Sequence, residues 1–261
     1  MPDNGDNKDT ILLDTSFLAE PINEGYISVR DGVPFTSTTD FVLDYERKES
    51  FYNGIIENLK NPDQRVFTSI GCLKEFSNFV EHYLARIVNL KYLGSPGAKY
   101  PRTYSKEHMK YFDCLLNRVK NVRSLLRNNL YKAEFPDKLE VIENLFVEIG
   151  IRYRVKKPNE SLINDGKRRH RFNDERLCAL AFYELIVNDN STYIATKDND
   201  IIILLNVFNR LIEPIAKDLD KHIGTCYYFD GEFKKNVSRA GFMVRFEDRD
   251  YVFKILEEKV L

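Results

Sequence analysis

The chain has 261 residues and sets 39 Lys and Arg against 40 Asp and Glu, a formal net charge of −1. At 43% hydrophobic and 30% charged it has ample material for a buried core. That excludes a disordered or fibrous chain, and the near-neutral balance argues against a protein that coats nucleic acid indiscriminately. No apolar run is long enough for a membrane span, and the opening Met1-Pro2-Asp3-Asn4-Gly5-Asp6 lacks the basic and apolar regions of a secretory signal. Cys72, Cys114, Cys178 and Cys226 stand far apart with no CxxC pair, which argues against a disulfide scaffold or a zinc knuckle. The expectation is a cytoplasmic protein with reduced thiols and no membrane partner.

In chain order, Thr10-Ile11-Leu12-Leu13 is an apolar run halted by Asp14-Thr15-Ser16, the pattern of a buried strand whose end meets solvent. Glu20-Pro21 and Asp31-Gly32-Val33-Pro34 are turn signals that suggest a small hairpin. Residues 39–59 repeat apolar positions at helical spacing until Asn61-Pro62-Asp63 stops them. Val66-Phe67-Thr68 predicts a second strand. A long amphipathic helix then runs through Leu73, Phe76, Val80, Tyr83 and Ile87, and Gly94-Ser95-Pro96-Gly97 closes it. A further helix over 105–130 has an apolar face and a face rich in Lys and Arg. Residues 139–155 open as a helix and end in the strand-like Ile149-Gly150-Ile151-Arg152-Tyr153-Arg154-Val155.

Beyond the polar stretch 159–172, a helix opens at Asp174, and Tyr193-Ile194-Ala195-Thr196 predicts a strand. A helix over 201–211, a strand at 226–229, a turn at Asp230-Gly231, a strand at 242–246 and a terminal helix at 252–260 complete the reading. Strands alternating with helices predict an α/β fold around a mainly parallel sheet. The whole chain reads as a single domain with a helical insertion at roughly 94–135 and a C-terminal extension at roughly 230–261.

Functional groups of an open parallel sheet gather at the carboxyl ends of its strands, and here those ends are acidic. Asp14 closes the first strand, Glu75 lies one turn into the helix after the second, Asp174 opens a helix, and Asp198 and Asp200 follow a buried strand. Carboxylates on one rim stay ionised together only if cations compensate them. Mg²⁺ or Mn²⁺ suits an all-oxygen set, and two such ions about 3.5–4 Å apart would drive hydrolysis of a phosphodiester. Taken singly, each residue has a plainer reading: Asp14 as a turn residue, Glu75 as a solvated helix residue, Asn173 or Asp174 as an N-cap, and residues 197–200 as a polar turn.

Four segments together resemble the PIN-domain ribonucleases: Ile11-Leu12-Leu13-Asp14-Thr15-Ser16-Phe17-Leu18, Thr68-Ser69-Ile70-Gly71-Cys72-Leu73-Lys74-Glu75-Phe76, Asn173-Asp174-Glu175-Arg176-Leu177-Cys178-Ala179-Leu180-Ala181 and Ile194-Ala195-Thr196-Lys197-Asp198-Asn199-Asp200. The resemblance implies a three-layer α/β/α sandwich and a metal-dependent endoribonuclease. Asp14, Glu75, Asp174 and Asp198 would act as catalytic metal ligands for Mg²⁺ or Mn²⁺, with Asp200 as an extra ligand. Ser16 and Thr196 would orient a ligand or a water. The chain departs from the family pattern in its length, in the 20–35 detour after the first strand and in the added helical element over 91–131.

RNA is the implied partner. A protein inhibitor or antitoxin, and self-association into a homo-oligomer, are further partners that such a fold admits. Lys156, Lys157, Lys167, Arg168, Arg169 and Arg171 form a basic run leading to Asp174, placed to meet a phosphate backbone, or else a solvated loop. Tyr131, Tyr153 and Phe172 are candidate stacking residues. The four histidines have no metal spacing, and no GxSxG, Walker or GxGxxG pattern occurs. Two competing classes are a non-catalytic RNA-binding or assembly module and a structure-specific DNA nuclease.

Overall fold

Alternation along the strands sorts the core into two halves. Ile11, Leu13, Tyr193 and Ala195 pack on one side of the sheet, whereas Leu12 and Ile194 pack on the other. Strands apolar on both faces need helices on both, as parallel sheets do. The computed structural model describes residues 9–23, 38–93, 106–152, 173–188, 190–212, 217–229, 231–236 and 242–245. The elements are β1 (Thr10–Leu13), α1 (Thr15–Asn23), α2 (Thr38–Lys60), β2 (Arg65–Thr68), α3 (Ile70–Leu93), α4 (Lys106–Asn128), α5 (Pro136–Arg152), α6 (Asn173–Asn188), β3 (Thr192–Ala195), α7 (Asn199–Ile212), β4 (Lys217–Phe229), β5 (Glu232–Asn236) and β6 (Phe242–Arg245).

The sheet order is β2-β1-β3-β4-β5, with β6 also paired to β4. β2, β1, β3 and β4 run parallel, while β5 and β6 join antiparallel. Side chains of α1 to α4 form the first core half, among them the fully buried Tyr52, Phe76, Val119 and Val122. Those of α5, α6 and α7 form most of the second, around Phe146, Phe182 and Tyr183. This mixed α/β arrangement is compatible with a three-layer α/β/α sandwich. No helix among the described residues is long and apolar enough to cross a membrane.

Four expectations change. Glu20-Pro21 is no turn: both lie inside α1, which follows β1 at once. Pro21 has no amide hydrogen to give to the carbonyl four residues back, and α1 ends two residues later. Residues Ile149 to Arg152 are helical, because α5 already buries Ile142, Leu145 and Phe146 and each added residue gains one backbone bond. β4 begins at Lys217, through a polar stretch with no strand-like apolar run. β5 was not foreseen at all: Glu232-Phe233-Lys234-Lys235-Asn236 is a charged edge strand and reads like a loop.

The segment at 94–135 is tied to the sheet as well as to the helices. Phe112, Leu115, Leu116, Val119, Val122 and Leu126 of α4 belong to the first core half. After α4, Thr68 N donates to Asn129 O and Tyr131 N to Thr68 O, so Leu130 bridges the edge of β2. The suggested hairpin at 31–34, the stop at 94–97, the stretch 153–172 and the terminal helix at 252–260 lie outside the described residues.

Candidate functional site

Strand register decides which side chains meet. Leu13 pairs with both Thr68 and Ala195, and Ala195 pairs with Cys226. β2, β1 and β3 therefore stop at one level, and Ser69, Asp14 and Thr196 follow on a common edge. Asp14 sits at its centre, 4% exposed. Its Oδ1 accepts hydrogen bonds from Thr15 N (2.6 Å) and the Cys72 thiol (3.8 Å). Its Oδ2 accepts from Ser16 Oγ, from Ser16 N (3.3 Å) and from Thr196 Oγ1 (2.8 Å). Burial pushes the Asp14 carboxyl above its ordinary value; the Ser16, Thr196 and Thr15 bonds pull it back, and the charge of Asp198 raises it further.

Thr196 is the hinge between two groups of acids. Its Oγ1 donates to Asp14 and accepts from Asp198 N at 2.9 Å. Asp198 Oδ1 in turn accepts from Asp200 N at 2.8 Å, capping the start of α7. The buried Asp174 comes in from the first turn of α6. Carboxylate oxygens of Asp174, Asp198 and Asp200 all lie within 4.8 Å of one another. The helix N-termini of α6 and α7 supply partial positive charge there, too little alone to balance three carboxylates.

Asp14 and Glu75 stand outside that triad. Glu75, half-buried in α3, accepts from Thr15 Oγ1 at 3.0 Å, and the same hydroxyl lies 3.2 Å from Cys72 O. Two buried thiols neighbour these acids. Burial first, then the charges of Asp14 and Glu75, pushes Cys72 up to about 12. Burial, then Asp174, Glu175 and Asp14, pushes Cys178 well above its ordinary value. Both therefore stay protonated at neutral pH, and the oxygen groups carry the site's chemistry.

Beside Asp174, Asn173 is 4% exposed, and neither its Oδ1 nor its Nδ2 finds a hydrogen-bond partner among the described residues. The N-cap reading of Asn173 is thereby set aside, since a cap oxygen would accept an amide of the first turn. Its side chain presses on the first turn of α3 at Gly71, where a Cβ would fall 2.0 Å from Asn173 Oδ1. Only glycine leaves that room. Sequence reasoning passed over Thr15, Gly71, Cys72 and Asn173 as functional groups, although each adjoins or lies near a residue it did select.

A hard divalent cation fits this donor set. Three carboxylates converge, each offering an oxygen ligand, and a buried amide without a hydrogen-bond partner among the described residues lies next to one of them. Ser16 and Thr196 meet at Asp14, with Ser16 Oγ also accepting from Lys197 N at 3.0 Å. Lys156, Lys157, Lys167, Arg168, Arg169 and Arg171 lie outside the described residues. Compared with known protein families, with curated proteins and with solved structures, the chain matches none.

Proposed function

We propose that this chain is a metal-dependent endoribonuclease of PIN-like fold, a three-layer α/β/α sandwich that hydrolyses RNA phosphodiesters at the carboxyl rim of its sheet. The observation that carries this reading is the convergence of Asp174, Asp198 and Asp200 within 4.8 Å, beside the orphaned amide of Asn173. These residues would hold Mg²⁺ or Mn²⁺, with Asp14 and Glu75 completing the acidic surround. When bound, such a cation supplies Lewis-acid charge to the scissile phosphate and makes water a nucleophile near neutral pH.

The chain's own groups do the positioning. Ser16 and Thr196 fix the Asp14 carboxylate by hydrogen bonds, and Thr196 ties it to the backbone of Asp198. Asp14, held by these bonds at the centre of the rim, would add its carboxylate to the charge that holds the ion. Thr15 restrains Glu75 on the other side.

The test is cleavage of a mixed RNA pool with Mn²⁺, with Mg²⁺ and with EDTA, comparing the natural chain with Asp14→Asn and Asp198→Asn. The expected result is metal-dependent cutting that each variant loses by about a hundredfold or more, with RNA binding retained. Cutting that survives both substitutions refutes the assignment. Binding without cutting would make the chain a non-catalytic RNA-binding module, and preferential cutting of flap DNA would make it a DNA nuclease.

A further inference from the structure

Next to the rim, α1, α2 and the β4–β5 turn enclose a cavity of about 530 Å³. Ligand sites for small molecules run from roughly 300 to 1,000 Å³. Aromatic rings line part of this one, Phe17, Phe51, Tyr227 and Tyr228, and cationic residues line another: Arg47, Lys48 and Lys197. Two wall residues are chain neighbours of rim residues. Lys197 follows Thr196 and donates its amide to Ser16 Oγ, while Phe17, another wall residue, follows Ser16. At the mouth Lys197 Nζ pairs with Glu20 at 2.9 Å, on a side chain half open to solvent.

The aromatic wall is held rigidly. Tyr228 sits edge-on to Phe51 at 5.9 Å and to Phe233 at 5.1 Å. Its hydroxyl donates to Gly231 O at 2.8 Å across the β4–β5 turn. Gly231 takes φ 81°, a left-handed conformation that glycine adopts freely. On α2, a Cβ at Gly54 would fall 1.9 Å from that hydroxyl, so the ring lies flush against the helix. A preformed wall costs little ordering when a planar ligand docks.

Flat apolar rings beside cations, one step from a phosphodiester-cleaving rim, suit a nucleotide. Bases stack on aromatic rings whatever their identity, and Lys and Arg take the phosphates. We infer that this cavity is a nucleotide subsite: it takes one unpaired nucleotide of the RNA, with its base against Phe51 and Tyr228 and its phosphate toward Lys197 and Arg47. The neighbouring phosphodiester then lies at the acidic rim. This rests on the ribonuclease reading for its choice of RNA. A base enters such a cavity only when unstacked, so the subsite selects single-stranded RNA over duplex.

The experiment uses the full chain in EDTA, so that binding is read without cleavage. A fluorescein-labelled single-stranded oligoribonucleotide is titrated by anisotropy against the natural chain, Lys197→Glu, Arg47→Glu and Tyr228→Leu. Thermal unfolding of each variant reports folding; the two charge reversals are at exposed positions and keep the test open if Tyr228→Leu misfolds. The expected result is affinity for single strands weakened about tenfold by either charge reversal, with duplex affinity unchanged. In parallel, an oligonucleotide carrying 4-thiouridine is photo-crosslinked, and the adduct is expected in peptides containing Phe51 or Tyr228.

Unchanged single-strand affinity in both charge reversals overturns the subsite, and so does a crosslink confined to other peptides. An equal loss for duplex overturns it too, by reducing the basic wall to a general phosphate track. The two proposals also fail separately. Variant-sensitive binding with a cavity crosslink, in a protein that cuts nothing with Mn²⁺, keeps the subsite and removes the nuclease. Metal-dependent cutting with variant-insensitive binding does the reverse.

Discussion

Two buried carboxylates occupy opposite ends of the same sheet, and their surroundings push them in opposite directions. Glu184, fully buried in α6, lies at the amino end, where Thr10 opens β1 and Arg65 opens β2. It accepts hydrogen bonds from Tyr131 Oη, Asn188 Nδ2 (2.6 Å), Asn190 Nδ2 (2.9 Å) and Thr10 Oγ1 (3.0 Å), and it pairs with Arg65. Burial works to raise its pKa, but those bonds and the Arg65 charge outweigh burial and leave the carboxyl below its ordinary value. Asp14, at the carboxyl end, also accepts several bonds, yet burial wins there and Asp198 adds repulsion. The difference is the counter-charge. Glu184 has a cation and a full ring of donors, so it is a clamp, whereas Asp14 has a like charge from Asp198 beside it, in a rim where Asp174, Asp198 and Asp200 converge as an added ion requires.

The largest expected effect separates these roles. Glu184→Ala strips the shared partner from Arg65, Tyr131 and Asn190 and leaves their polar atoms unsatisfied. Breaking a buried pair costs about 3–5 kcal/mol, and with the Arg65 side chain 36% exposed the lower end applies. We expect a loss of about 3 kcal/mol in urea unfolding; a change under about 1 kcal/mol would mean that the clamp is ornamental. Next in size is the gain from metal. Mn²⁺ at a hundred times its dissociation constant stabilises a folded site by about 2.7 kcal/mol. The melting temperature of the natural chain should therefore rise with Mn²⁺, that of Glu184→Gln should rise in parallel, and that of Asp198→Asn should stay flat. Equal rises in all three would place the ion elsewhere.

Apolar runs made β1, β2 and β3 legible, and three- and four-residue spacing did the same for α2, α3 and α4. The acids were legible as a set, because each ends a strand or opens a helix. Which of them converge was not, since that depends on strand register and on where α6 enters the rim. Sequence order ranked Asp14 and Glu75 with the triad and Asp200 as an extra, while the structure groups Asp200 with Asp174 and Asp198. The Glu184 clamp gave no signal at all. Its residue sits in a run of buried helix positions, and its partners at Thr10, Arg65, Tyr131 and Asn190 are scattered along the chain. The Phe51 and Tyr228 wall was hidden for the same reason, as it joins α2 to β4.

A smaller effect tests how tightly the rim is built. Gly71→Ala would drive a methyl to 2.0 Å from Asn173 Oδ1, and Asn173 is buried with little room to move. Overpacking of this kind costs about 1–3 kcal/mol. Because Asn173 adjoins Asp174, the same variant should weaken the Mn²⁺-induced rise in melting temperature. Lost stability with an unchanged Mn²⁺ response would show that Asn173 has no part in placing the triad.

The smallest effect is the pH dependence, and its sign differs at the two ends. Glu184 lies below its ordinary 4.5 when folded, so the unfolded chain holds the proton more tightly. Its contribution is present above that value and lost as pH falls through the lower, folded pKa. Asp14 lies above its ordinary 3.8, so the folded chain holds the proton more tightly. Its contribution is complete below 3.8 and is lost as pH rises through the raised, folded pKa. Each slope is bounded by one proton, about 1.4 kcal/mol per pH unit. In EDTA, Glu184→Gln should flatten the acid limb of the stability curve, and Asp14→Asn should flatten the decline on the side above 3.8. Saturating Mn²⁺ should also reverse that second slope, because the ion binds the ionised carboxylates and competes with the protons. Slopes of the same sign in EDTA would erase the distinction between clamp and ion site.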